Sequence, residues 1–153
     1  MHTPNDIAAE FSDIDVHDDT IEAMNVIPAV GRKSCKVALT LFRHWENKRR
    51  LLQFTDCINI CFNVDATVLH GNAPNNTCSV EATASVDDIT KIMRSQKKQW
   101  NVTYQKSIDP LPAKLAAASR YALFRVRFFG GILEVVARSY KVTRLTLHSR
   151  GTR

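Results

Sequence analysis

Lysine and arginine are missing from residues 1–31, and acids are nearly missing from residues 91–153, where only Asp109 and Glu134 occur. The first stretch instead carries seven acids (Asp6, Glu10, Asp13, Asp15, Asp18, Asp19, Glu22), and the last carries fourteen lysines and arginines. The chain between them is close to balanced, with seven basic residues against six acidic ones. The formal charge of +6 therefore hides two poles. Sorted charge of this kind governs encounter with partners rather than the fold. Either the poles neutralise each other, the acidic first strand against the basic C-terminal strands, or each faces something else. The first is the simpler expectation, since opposite charges across strands contribute only ~0.2–1 kcal/mol each yet set pairing specificity.

Catalytic signatures are also missing. There is no G-x-S-x-G, no P-loop and no G-x-G-x-x-G, which leaves nucleophilic hydrolysis and nucleotide binding without a motif. No C-x-x-C occurs among Cys35, Cys57, Cys61 and Cys78, so a zinc site is not indicated. On one strand Cys57 and Cys61 would sit about 13 Å apart, too far to bond. The cysteines are expected to be buried, reduced thiols. No stretch reaches the roughly 18 apolar residues of a membrane span. The opening Met-His-Thr-Pro-Asn-Asp lacks a basic and an apolar region, so no secretory signal is expected. A cytoplasmic protein without membrane association follows, and the Asn75 and Asn101 sequons then carry little meaning.

What remains is an ordinary globular composition, 44% hydrophobic and 24% charged over 153 residues. One domain spanning 1–153 is expected, with a polar lead-in at 1–12 holding a short helical turn at Ile7 to Phe11, and a loose tail at 150–153. Ile14 to Ile27 reads as a first strand of loose period two. Cys35 to Trp45 alternates cleanly, with Val37, Leu39 and Leu41 on one face. After a basic turn at 46–50, Leu51 to Val64 reads as one long or broken strand that bends at Thr55-Asp56. These two runs suggest a hairpin. His70 to Thr77 reads as a loop, Ser79 to Val86 as a strand and Asp87 to Lys97 as a short helix, with Trp100 to Gln105 extended. Tyr121 to Phe129 alternates strongly, Gly130-Gly131 reads as a hairpin turn, and Ile132 to Tyr140 pairs back. Lys141 to Ser149 extends that strand or adds another. The expected class is mainly β (α+β): an antiparallel sandwich or strongly curved sheet of about seven strands with one short helix.

Two groups of residues could carry chemistry. In a strand, Asp13, Asp15 and His17 would project from one face. Two carboxylates and an imidazole suit a divalent cation or an oriented base, so a small metal-dependent hydrolase is one alternative. The commoner meaning of such a segment is a charged edge with Asp18 stabilising a turn and His17 bonded nearby. No cofactor and no catalytic residue is otherwise indicated. Arg125, Arg127, Arg138, Lys141 and Arg144, interleaved with Phe128, Phe129 and Tyr140, could line a groove for nucleic-acid phosphates. Alternation on strands also produces solvated arginines beside a packed face, and no RNA-recognition or helix-turn-helix signature accompanies them.

Three stretches together resemble the YxiG-like proteins and the related immunity protein 50 family of bacterial polymorphic toxin systems. They are Phe11-Ser-Asp-Ile-Asp-Val-His17-Asp18; Val37-Ala-Leu39-Thr-Leu41 with Leu52-Gln-Phe54-Thr-Asp56-Cys-Ile58; and Phe124-Arg-Val126-Arg-Phe128-Phe-Gly130 running on to Glu134-Val-Val-Ala137. The resemblance covers about residues 11 to 140 and implies a β-rich domain that neutralises a toxin by binding. His17, Asp18 and Asp56 match its pattern as structural positions. A basic chain departs from the acidic character of immunity proteins against nucleases. The expectation is a non-enzymatic binding protein that occludes a protein partner, a cognate toxin, through an acidic edge of Asp13, Asp15, His17, Asp18, Asp19 and Glu22. A nucleic-acid-binding β-domain is the alternative, and an open edge strand permits a homodimer.

Overall fold

Two cleanly alternating runs set the frame. The computed structural model describes residues 2–31, 34–65, 76–104 and 118–145, with only the backbone described for 97–104. Strand β2 (Lys36–Arg43) pairs antiparallel with β1 (Thr20–Ile27) and with β3 (Lys48–Thr55), and β8 (Ser139–Leu145) completes a sheet ordered β1-β2-β3-β8. The second sheet is ordered β4-β7-β6-β5, from β4 (Asn59–Val64), β5 (Thr77–Thr83), β6 (Ala122–Phe128) and β7 (Gly131–Ala137). Val37, Leu39, Leu41, Leu52 and Phe54 of the first sheet meet Ala122, Phe124, Val126, Leu133, Val135 and Ala137 of the second in one buried core. The fold is thus the expected mainly-β antiparallel sandwich, with eight described strands rather than seven.

The two sheets share a bent ribbon. β3–β8 in one sheet continues as β4–β7 in the other. The bend falls where the Thr55-Asp56 step suggests it. Asp56 takes a left-handed φ of 54°, Arg138 alone separates β7 from β8, and the Thr55 and Ser139 hydroxyls hydrogen-bond across the corner at 2.6 Å.

Several expectations need correction. The strand expected from Ile14 begins only at Thr20, and Asp13–Asp19 is irregular. Within β1 the register slips between Ile21 and Ala23. Glu22 is the extra residue of a bulge, so Ile21 and Met24 both face inward, opposite Leu41 and Leu39,. That is why period two fits loosely. Ile58, which alternation puts on one face with Ile60 and Phe62, packs outside the second sheet instead, while Ile60 faces the core. The two-residue turn is Phe129-Gly130, not Gly130-Gly131, because Phe128 pairs with Gly131. Gly130 supplies the positive φ of 86°,. A Cβ on Gly131 would meet the Phe128 ring and the Asn63 carbonyl at 2.6 Å.

The described residues hold two α-helices where one was expected. The lead-in is helix α1 (Pro4–Ser12), started by a Thr3–Asp6 capping box with Pro4 in its first turn,. It buries Ala8 and Phe11. Ser12 ties its end to β5 by accepting from the Ala82 N–H at 3.0 Å. The second helix, α2 (Val86–Tyr104), is longer than Asp87 to Lys97 and absorbs the segment expected to be extended. Ser85 caps it through the Asp88 N–H,. Ile89 and Met93 pack on Leu123 and Val136, covering the outer face of the second sheet. No helix among the described residues is long and apolar enough to cross a membrane. The His70–Asn75 part of the expected loop, Asp109-Pro110-Leu111-Pro112, which reads as a breaker, the Lys114–Ala117 part of an alanine-rich stretch that reads as one helical turn, and the 150–153 tail lie outside the described residues.

Candidate functional site

The acidic segment becomes a fixed loop at the end of the sandwich, between α1 and β1. Val16 is buried, while Asp13, Asp15, His17 and Asp18 are exposed. The Asp19 N–H returns to the Val16 carbonyl, making His17 and Asp18 the tip of a turn, and Asp18 adopts a left-handed φ of 63°. Thr77 of β5 clamps the loop. Its N–H donates to the Asp19 carbonyl at 2.8 Å, its carbonyl accepts from the Asp18 N–H at 2.9 Å, and its hydroxyl donates to the Val16 carbonyl. His17 Nδ1 contacts the Asp18 carboxylate at 2.9 Å, both largely exposed. This matches the turn-forming role of the pair. Among the described residues no group of three His, Cys, Asp or Glu is arranged to hold a metal ion. Asp13, Asp15 and His17 thus share a loop without converging on a point.

Asp19 belongs to a different assembly. It is fully buried, whereas the expected edge required it to face a partner. Its carboxylate accepts from Arg43 Nε at 2.9 Å and from Arg50 Nη2. Arg43 also reaches the exposed Asp15 carboxylate at 3.1 Å and Glu46 at 3.1 Å. Burial pulls the Arg43 guanidinium down, but the hydrogen bonds to Asp19 and Glu46 and the nearby Asp15 charge outweigh it, so the net shift is upward. Both arginines escaped the sequence reading, although strand parity contains them. Arg43 continues the inward row of Val37, Leu39 and Leu41, and Arg50 that of Leu52 and Phe54. Among the described residues, Asp15, Asp19 and Glu22 of the acidic pole are therefore paired by arginines of the β2–β3 hairpin rather than by those of the C-terminal strands.

Glu22 extends this pairing along β1, accepting from Arg49 Nε at 2.7 Å and Nη2 at 2.8 Å. That hydrogen bond first, then the Arg49 charge, holds the Glu22 carboxyl below its ordinary 4.5. A carboxylate depressed in the folded state stabilises above its unfolded pKa and loses that contribution as pH falls through the folded value. Glu22→Gln is therefore expected to flatten the acid limb of the stability profile below about pH 4.5. Urea melts stepped downward from neutral pH read the difference, and an unchanged acid limb would count against the pairing.

The basic candidates are dispersed. Arg125 is bound to Glu134 at 2.8 Å and Arg127 to Glu81 at 2.9 Å, on the outer face of the second sheet. Arg138 sits at the corner, 3.9 Å from Asp56. Lys141 and Arg144 lie on β8 of the other sheet. The structure does not bring the five into one groove.

A feature without a sequence signal lies along β1. This strand ends its sheet, and beyond β2 its only described pairing is the Thr20–Asn76 bridge. Ile21 and Met24 of β1, with Phe62 and Val64 of β4, rim an open pocket of about 160 Å³ floored by Leu39, Phe128 and Leu133. Val26 and Ile27 are about half exposed, and Val30 beyond them is 71% exposed. Only a bulge and two edge strands bring these residues together, so hydropathy along the chain does not reveal them.

The thiols are not uniformly buried. All four cysteines are free; Cys57 is buried, Cys35 and Cys61 are half-buried and Cys78 is exposed. No protein-family model, no curated protein and no solved structure matches this chain.

Proposed function

We propose that this chain is a non-enzymatic binding protein that holds a protein partner along the outer edge of β1, which among the described residues pairs beyond β2 only through the Thr20–Asn76 bridge. The observation that carries this is the arrangement of that edge. An exposed acidic loop precedes it, an apolar pocket lies under its middle, and Val26, Ile27 and Val30 stand exposed at its far end. An exposed apolar edge strand is a template for strand addition. A partner segment would add main-chain hydrogen bonds to β1 and place an apolar side chain between Met24 and Phe62. Its basic residues would meet Asp13, Asp15 and Asp18, which speeds encounter more than it deepens affinity.

The resemblance to toxin-neutralising immunity proteins supplies the partner class: a bacterial toxin whose working surface is occluded on binding. Of the acidic edge, Asp13, Asp15, His17 and Asp18 stay exposed, Asp15 while bonded to Arg43 and His17 while bonded to Asp18, whereas Asp19 and Glu22 hold the loop and strand in place. Co-expression with the products of adjacent reading frames, followed by capture on the tagged chain, tests this directly. Val26→Lys with Ile27→Lys is expected to weaken capture at least about tenfold, some 1.4 kcal/mol, and Asp13→Lys to slow association with little change in dissociation. Undiminished capture by the double-lysine variant would remove the β1 edge from the proposal. Self-association lost in the same variant would instead identify a second copy as the occupant.

A further inference from the structure

We propose that Cys35 and Cys57 form an oxidisable cross-strand pair, a site of covalent modification whose co-substrate is a small-molecule disulfide. The pair arises from the corner geometry and is independent of the partner reading. Lys36 pairs with Thr55 and Val37 with Phe54, so Cys35 extends the inward row of β2. Regular pairing would set Asp56 opposite it. The left-handed Asp56 instead takes up the extra residue of a bulge, and turns its carboxylate outward toward Arg138. Cys57 then moves into the opposing place. Its N–H donates to the Cys35 carbonyl at 3.0 Å, and both side chains pack in the same core cluster. Residues facing each other across antiparallel strands hold their Cα atoms roughly 4.5–5.5 Å apart, within the span of a disulfide.

The two thiols differ in a way that orders the chemistry. Cys35 is half-buried and reachable, while Cys57 is buried. The Cys57 thiol is pushed up to about 12, first by burial, then by the adjacent Cys35 and the Asp56 carboxylate, against an opposing hydrogen bond from Val37. With oxidised glutathione as the oxidant, the Cys35 thiolate attacks one glutathione sulfur and expels the other as a thiolate. Cys57 then loses its proton and attacks the Cys35 sulfur, expelling the second glutathione. Two protein thiols are oxidised, one glutathione disulfide is reduced to two thiols, and the two thiol protons pass to the leaving groups. Few Cys57 thiolates exist at neutral pH, so closure takes hours rather than seconds.

The test is equilibration of the full chain with oxidised glutathione, with thiol counting and non-reducing peptide mapping. Loss of two thiols, a mapped Cys35–Cys57 link and a rise in Tm of roughly 5–10 °C are expected. The Cys61→Ser/Cys78→Ser variant keeps the pair and is expected to behave identically, whereas Cys35→Ser gains no Tm. Glutathione persisting on Cys35, a link to Cys61 or Cys78, or four thiols surviving full equilibration each overturns the proposal.

Discussion

Asp19→Ala is expected to lower the unfolding free energy by about 3–5 kcal/mol, read by urea denaturation at neutral pH. Asp19 has no exposed surface, and the side chain of Arg43 is only 9% exposed and that of Arg50 only 15%. Truncating the carboxylate leaves two guanidinium groups facing each other in a site that water scarcely reaches. Asp15 and Glu46 compensate in part for Arg43, since each contacts it. Among the described residues no second carboxylate contacts Arg50, which keeps only the Asp15 carbonyl at 2.7 Å and whose Nε lacks a hydrogen-bond partner. The loss is large against a typical total of about 5–15 kcal/mol. Removing the whole cluster is a different experiment. Asp19, Arg43 and Arg50 replaced together by apolar residues of similar volume should cost far less, because desolvation of the charges disappears with them. The exposed pairs Lys48–Glu46 and Arg127–Glu81 set the contrast, at about 0–1 kcal/mol each. An Asp19→Ala loss no larger than that would mean water enters the cluster.

This cluster also marks the limit of what the chain discloses before it is folded. Alternation names the face of a residue, so the inward rows of β2 and β6 were legible at once. It does not name the neighbouring strand, and charge pairing is decided by neighbours. The acids of residues 13–22 therefore looked like partners for the C-terminal arginines, although β1 lies beside β2 and the arginines of the first hairpin reach them first. Bulges are a second source of error. One extra residue at Glu22 inverts the parity that follows it in β1, and another at Asp56 turns Cys57 inward before Ile60 and Val64 resume the even parity of Leu52 and Phe54. The first hid half of the apolar pocket, and the second hid the facing cysteines. The bend at Asp56 was readable because a polar step interrupts a long apolar run, but its effect on Cys57 required the register of β2. The exposed acidic loop was found for its composition, while its immobility depends on Thr77, more than fifty residues downstream.

Phe11→Ala is the second large effect, about 3–5 kcal/mol and a Tm loss of roughly 6–20 °C. Phe11 is fully buried. Its ring lies 4.9 Å from Phe124, 5.0 Å from Tyr140 and 5.8 Å from Phe54, edge-on or tilted to all three. α1 packs across β5, β6 and β8, so this one side chain closes the flank of the sandwich on the side away from β1. Truncation opens a cavity among three aromatic rings that strand pairing holds in place, and little collapse can refill it. Helix α1 is only nine residues long, too short to persist alone in water, so its order depends on that ring. The variant should accordingly lose α1 protection in hydrogen exchange before β2, β3 and β6 lose theirs. The clamp on the acidic loop is separate, since Thr77 belongs to β5, and the Asp18 and Thr77 amides should stay protected. A Phe11→Ala protein that keeps its Tm within a few degrees would show that α1 rests on the sandwich without sealing it.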